Sequence, residues 1–205
     1  MEKGKQKSII FLGSSVTYGA ASGGISFADI LCEKNGYGMV KEAVSGTTLT
    51  DDGPDSYVSR MKTINAGSAD LFVCQLSTND ATCGKMLGNV SNDRDTETFD
   101  VKTVAGAIEY IITYARGRWG CPILFYTNPR YDSKEYCAMV ELLKKTAEKW
   151  KVEVLDLWDD EGFNSISTEE RARFMADPIH PTLEGYSEWW VPVFEKTVRN
   201  ILRAE

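Results

Sequence analysis

The sequence has 205 residues, of which 42% are hydrophobic and 26% charged, with a formal net charge of −7. This length suits one domain, residues 1–205, with a core of useful size. The acidity disfavours nucleic-acid or anionic-membrane partners, which need clustered Lys and Arg, and five cysteines without C-x-x-C spacing beside a single histidine disfavour a zinc site.

The chain opens on a basic segment and the apolar run 9–12. That run is too short for a signal peptide or a membrane span, so a cytoplasmic location is expected. The odd cysteine count fits a reducing compartment, with Cys74 inside an apolar run. Run 9–12 reads as a strand and leads into Gly13-Ser14-Ser15-Val16-Thr17. Phe27, Ile30 and Leu31 then share one helical face. A weaker run, 39–44, is a candidate strand followed by Ser45-Gly46-Thr47-Thr48. Run 71–76 is a third strand, followed by Ser77-Thr78-Asn79-Asp80. The polar stretch 81–100 is the longest apparent loop, and loops of that length are usually functional or disordered.

Val101, Val104, Ile108, Ile111, Ile112 and Ala115 recur at helical spacing. A fourth strand over 123–126 leads to Asn128-Pro129-Arg130-Tyr131. Ser133 is a candidate N-cap for a helix carrying Tyr136, Val140, Leu143, Ala147 and Trp150. The last strand is expected over 152–157, with Trp158 beyond it. Asp177-Pro178-Ile179-His180-Pro181-Thr182 precedes a C-terminal helix carrying Tyr186, Trp189, Val193, Phe194, Val198, Ile201 and Leu202. Strands alternating with helices predict βαβ units and a parallel sheet covered on both faces. Ligands of such folds bind at the carboxyl ends of the strands, where these polar clusters would meet.

A serine hydroxyl is a weak nucleophile that needs an adjacent base. Ser15 sits in one such cluster, and His180 is the only histidine. Asp177, three residues before His180, can accept from Nδ1–H and leave Nε2 facing the serine. Asp156, Asp159 and Asp160 are alternative acids on the same rim. Asn79 offers a side-chain NH₂ and Gly46 an unobstructed backbone N–H to a developing oxyanion, with the Ser15 N–H as a third donor. Each of these residues alone also reads as ordinary turn or cap chemistry.

Taken in order, Gly13-x-Ser15, Gly46, Thr78-Asn79-Asp80 and Asp177-x-x-His180 resemble the SGNH hydrolases, also called the GDSL esterase/lipase family. The resemblance spans residues 8–186 and is closest in DPIHPTLEGY at 177–186. It implies a flavodoxin-like α/β/α sandwich with a mostly parallel five-stranded sheet. It also implies Ser15, Asp177 and His180 as catalytic residues and Ser15, Gly46 and Asn79 as the oxyanion hole. Two positions depart from the pattern: Ser14 replaces the namesake Asp, and Ser77 replaces the Gly that commonly opens the third block. Neither carries the chemistry, although Ser77 narrows the space expected beside Asn79.

The expected substrate is a small ester with a short acyl chain, such as an O-acetyl group on a carbohydrate, and the expected chemistry uses no metal or cofactor. Arg130 and Tyr131 are candidates for substrate contact, and Tyr131 and Trp158 for stacking on a sugar ring, although Trp158 equally suits a sheet-edge cover. Thioesterase, lysophospholipase and acyltransferase activities of the same family stay open, as does oligomeric state. Two rivals of another class are a flavin mononucleotide-binding protein, whose phosphate would sit in the loop after the first strand, and a non-catalytic binding module.

Overall fold

The computed structural model describes residues 6–204; the basic start at residues 1–5 lies outside the described residues. In chain order the elements are β1 (Ser8–Gly13), α1 (Ser15–Tyr18), α2 (Phe27–Asn35), β2 (Gly38–Ala43), α3 (Tyr57–Met61), β3 (Leu71–Gln75), α4 (Thr78–Thr82) and α5 (Val104–Trp119). They continue with β4 (Ile123–Tyr126), α6 (Lys134–Trp150), β5 (Glu153–Leu155), α7 (Glu161–Asn164) and α8 (Thr168–Phe174). A π-helical turn over Gly185–Trp190 runs into α9 (Val191–Arg203).

The five strands form one parallel sheet in the order β2-β1-β3-β4-β5. Side-chain alternation along each strand divides the core in two. Ile10, Leu12, Phe72, Cys74, Ile123 and Phe125 point to the face covered by α3, α5 and α6. Ile9, Phe11, Leu71, Val73, Leu124 and Tyr126 point to the face covered by α2, the π turn and α9. This is a three-layer α/β/α sandwich with the flavodoxin-like strand order. Strand order reverses between β1 and β3, so the crevice beyond their carboxyl ends is the natural ligand position. Among the described residues, no helix is long and apolar enough to cross a membrane.

The weaker run 39–44 proves to be the edge strand β2. Met39 and Val40 remain over a third exposed, which explains its thinner apolar signal. The last strand is shorter than expected. Leu157 lies beyond it, and Trp158 is buried against Tyr131 and Tyr136, which makes Trp158 a cover of the sheet rather than a free stacking surface.

The stretch 81–100 is not one open loop. It includes the end of α4 and a 3₁₀ turn over Thr96–Thr98. Between them, the Lys149 ammonium donates to the carbonyls of Ser91 and Asp93, and Ser91 N–H donates to the buried Glu109 carboxylate. The helix expected from residue 101 starts three residues later, where Thr103 caps Gly106 N–H. Ser133 caps α6 as expected, accepting from Tyr136 N–H. The C-terminal helix opens with a π turn rather than α geometry. Pro192 has no N–H to return to the preceding turn, and the widened turn lies just before it.

Candidate active site

β1 delivers the chain into a tight turn at Gly13. A Cβ there would lie 1.7 Å from Thr17 Oγ1, so the turn closes only on glycine. Gln75, at the end of β3 and fully buried, holds the turn from beneath. Its Oε1 accepts from Ser14 N–H and Thr17 Oγ1, each at 2.9 Å. Two donors on one atom fix which end of the amide faces the turn. Ser14, in the place of the family's Asp, is buried and also donates its hydroxyl to Gln75. Ser15 is left at the start of α1, 7% exposed, with Oγ 2.7 Å from His180 Nε2.

His180 is carried by a loop closed at its base by an antiparallel bridge between Met175 and Pro181. Asp177 Oδ1 accepts from the N–H groups of Ile179 and His180 at 2.7 and 2.8 Å. Its Oδ2 lies 2.7 Å from His180 Nδ1. Asn128, beyond β4, fastens the loop by donating Nδ2–H to Ile179 O, and Tyr186, in the π turn that follows, donates its hydroxyl to Val16 O in α1. Burial raises the pKa of Asp177, but the hydrogen bonds from the His180 ring and from the Ile179 and His180 N–H groups outweigh it and hold the carboxyl below its ordinary value.

Gly46 lies in the loop after β2 with φ +80°, a conformation that favours glycine. Asn79 sits in the first turn of α4, and its Nδ2 donates one hydrogen to Thr47 O at 2.9 Å, leaving the second hydrogen to serve a ligand. Ser77 caps α4 and donates its hydroxyl to the same Thr47 carbonyl. Asp80, fully buried, accepts from Leu49 N–H at 2.7 Å and Thr50 N–H at 3.1 Å. Burial raises its pKa and those two bonds work against the rise. Thus the Ser77–Asp80 turn grips the loop that bears Gly46.

The alternative acids are occupied elsewhere. Asp156 accepts from Thr127, Trp158 and Asp159, Asp159 pairs with Lys144, and Asp160 caps α7. The guanidinium of Arg130 is bound to Trp158 O and Asp159, which ties the turn after β4 to the region before α7. Tyr131 helps line a cavity of about 500 Å³ with Asp132, Arg171, Met175, Asp177 and Pro178. A second cavity, of about 420 Å³, is bounded by Gly46, Thr47, Thr48, Asp52 and Asp55. The two depressions therefore adjoin the His180 loop and the Gly46 loop respectively.

Gln75, Asn128, Asp80 and Tyr186 support this site, and the sequence gives none of them a role in it. Gln75 carries a faint signal, being the polar residue near the end of an apolar run. Asp80 lies within the Thr78-Asn79-Asp80 triplet itself. Asn128 and Tyr186 act across 51 and 170 residues of chain, a reach that local pattern does not report.

Residues 11–187 match the GDSL-like lipase/acylhydrolase family. A comparison with curated proteins finds no match. Among solved structures, a Bacteroides ovatus ATCC 8483 protein assigned to the GDSL-like lipases superposes with a TM-score of 0.71 at 19% identity, covering 95% of this chain and 99% of that one. A family two carbohydrate esterase from Clostridium thermocellum, solved with cellohexaose, gives 0.64 at 16% identity over 95% of this chain and 64% of that one. An acetyl xylan esterase, AlAXEase, gives 0.65 at 14% identity over 93% and 99%. At these identities the likeness is one of fold.

Proposed function

The chain belongs to the GDSL-like lipase/acylhydrolase family, and on that premise we propose that it is a serine esterase that removes short acyl groups through an acyl-enzyme. The observation that carries this reading is the unbroken hydrogen-bond chain from Asp177 Oδ2 through His180 to Ser15 Oγ, with both links at 2.7 Å. His180 Nε2 takes the Ser15 proton as Oγ attacks the ester carbonyl. Asp177 holds the imidazole in the tautomer with Nδ1 protonated and stabilises the imidazolium that forms. The oxyanion is received by the N–H groups of Ser15 and Gly46 and the free amide hydrogen of Asn79, each such donor being worth about 10²–10³ in rate. The imidazolium then protonates the leaving alcohol, and water repeats the sequence to release the acid. Every step uses groups of the chain itself.

Polar groups on both flanking cavities, set among Ile166, Ala172, Met175 and Pro178 in the largely apolar one that Tyr131 lines, support a small acyl group on a hydroxyl-rich alcohol. Asp132 and Arg171 lie on one side, and Thr47, Thr48, Asp52 and Asp55 on the other. Acetylated carbohydrates fit that description, and two of the structural neighbours are named as carbohydrate and acetyl xylan esterases. A flavin mononucleotide site would leave the bonded set of Ser15, His180 and Asp177 without a role.

A fluorophosphonate probe is expected to label Ser15. Ser15→Ala and His180→Ala are each expected to lower kcat by about 10⁴ or more with an unchanged circular dichroism spectrum. Near-normal turnover in either variant would reject the mechanism. An ester panel that varies acyl length and includes acetylated sugars tests the substrate class; a rate rising steadily with chain length would reject the short-acyl preference.

A further inference from the structure

Arg60 sits in the short helix α3 and is 6% exposed, a costly place for a charge unless its donors are satisfied. They are satisfied by the two segments that frame the proposed oxyanion hole. A single nitrogen, Nη2, donates to Gly13 O at 2.8 Å and to Thr47 Oγ1 at 3.0 Å. Gly13 lies two residues before Ser15, and Thr47 directly follows Gly46. The Thr47 carbonyl in turn accepts from Asn79 Nδ2. The guanidinium plane is fixed by three further contacts. Nη1 donates to Glu42 Oε1 at 3.0 Å, Nε donates to Asp55 O at 2.8 Å, and the Tyr57 ring centroid lies 5.2 Å away.

We propose that Arg60 is a positioning residue for the oxyanion hole: its planar fork sets the spacing between the nucleophile turn and the Gly46 loop, and so between the N–H of Ser15, the N–H of Gly46 and the amide of Asn79. The proposal rests on the esterase reading above. Geometry is the reason arginine is required. Two hydrogens on one rigid nitrogen define a fixed angle between their acceptors, whereas a lysine ammonium on a flexible stem defines none. A shift of a few tenths of an ångström in either segment would lengthen the donor distances on which oxyanion stabilisation depends.

The test compares wild type, Arg60→Met, Arg60→Lys, Thr47→Val, Asn79→Ala and the double variant Arg60→Met/Asn79→Ala on 4-nitrophenyl acetate, at a temperature where each is folded. Arg60→Met is expected to lower kcat roughly 10–100-fold with KM within about threefold, and to leave the shape of the pH profile unchanged because His180 is intact. Arg60→Lys, which keeps the charge but not the fork, is expected to lose about tenfold. In the Asn79→Ala background the Arg60→Met loss is expected to shrink to about threefold, since both act on the same hole. A kcat within twofold of wild type in Arg60→Met, or an undiminished loss in the Asn79→Ala background, would overturn the proposal. Should Arg60→Met fail to fold, Thr47→Val removes one acceptor of the fork and is expected to cost about three- to tenfold in kcat; an unchanged kcat overturns the proposal. Absence of Ser15-dependent turnover in wild type would reject the esterase reading instead. Backbone amide exchange over residues 13–16 and 44–50 then decides the positioning role: faster exchange in Arg60→Lys supports it, and unchanged exchange overturns it.

Discussion

Asp177 is half exposed at its side chain, yet three donors converge on it. Two of them are backbone N–H groups of its own loop, so the carboxylate shapes the loop and orients the imidazole at once. Its pKa is lowered, so it stays ionised as pH falls through the ordinary aspartate value of about 3.9. Replacement by Asn would keep the shape of the loop, since an amide oxygen still accepts from Ile179 and His180. With the oxygen so used, the NH₂ group faces Nδ1, which can then only accept, and the ring is driven to the tautomer with Nε2 protonated. Asp177→Asn is therefore expected to lower kcat by about 10³–10⁴. Asp159→Asn, whose partners are Lys144 and Arg130, is expected to stay within about twofold. Steady-state kinetics on one ester checks both, and equal losses would remove Asp177 from its assigned role. Spacing alone left four aspartates open, because D-x-x-H says which groups share a loop but not which carboxylate the ring meets.

The His180 loop is framed by two elements that nearly touch. A Cβ at Gly185 would lie 2.1 Å from Phe174 O, so the π turn packs backbone to backbone on the end of α8. The same carbonyl accepts from Thr182 N–H at 2.8 Å, and Tyr186 reaches α1 from the next position. Gly185→Ala must push these elements apart, at a cost of about 1–3 kcal/mol. The melting temperature should fall by several degrees, and kcat should fall as His180 moves relative to Ser15. A variant that melts like wild type would show that this contact is loose. The strands and long helices were legible in the sequence because apolar periodicity is local. By contrast, α3, α7 and α8 have only five, four and seven residues, too short for a period to register. Arg60 was hidden for that reason, in a helix whose only sequence sign is the Ser56 cap.

At the scale of the molecule, periodicity alone reached a parallel sheet with helices on both faces, and the resemblance added the flavodoxin-like five-stranded sandwich; the strand order is seen in the structure, since apolar runs do not say which strands are neighbours. Order matters because it places Ser15 and Asn79 at the ends of adjacent strands. The sheet is also stapled at its opposite end, where Asp70 joins β1 to the start of β3. Its Oδ2 accepts from Ser8 N–H at 2.8 Å and its Oδ1 pairs with Lys7 at 3.1 Å. Burial raises the Asp70 pKa, but the Ser8 N–H and the Lys7 ammonium outweigh it and the net shift is downward. A lowered folded-state value means stability that is present above the unfolded value of about 3.9 and lost as pH falls through the folded one. Asp80 has the opposite sign. Its raised value favours folding below the unfolded pKa, and that contribution is lost as pH rises through the folded one. The two carboxylates thus tilt the acid limb of stability in opposite directions. Calorimetric melting between about pH 5 and pH 3 should show a shallower fall for Asp70→Asn than for wild type, and a steeper one for Asp80→Asn. Parallel curves for all three proteins would mean that neither carboxylate changes its proton affinity on folding.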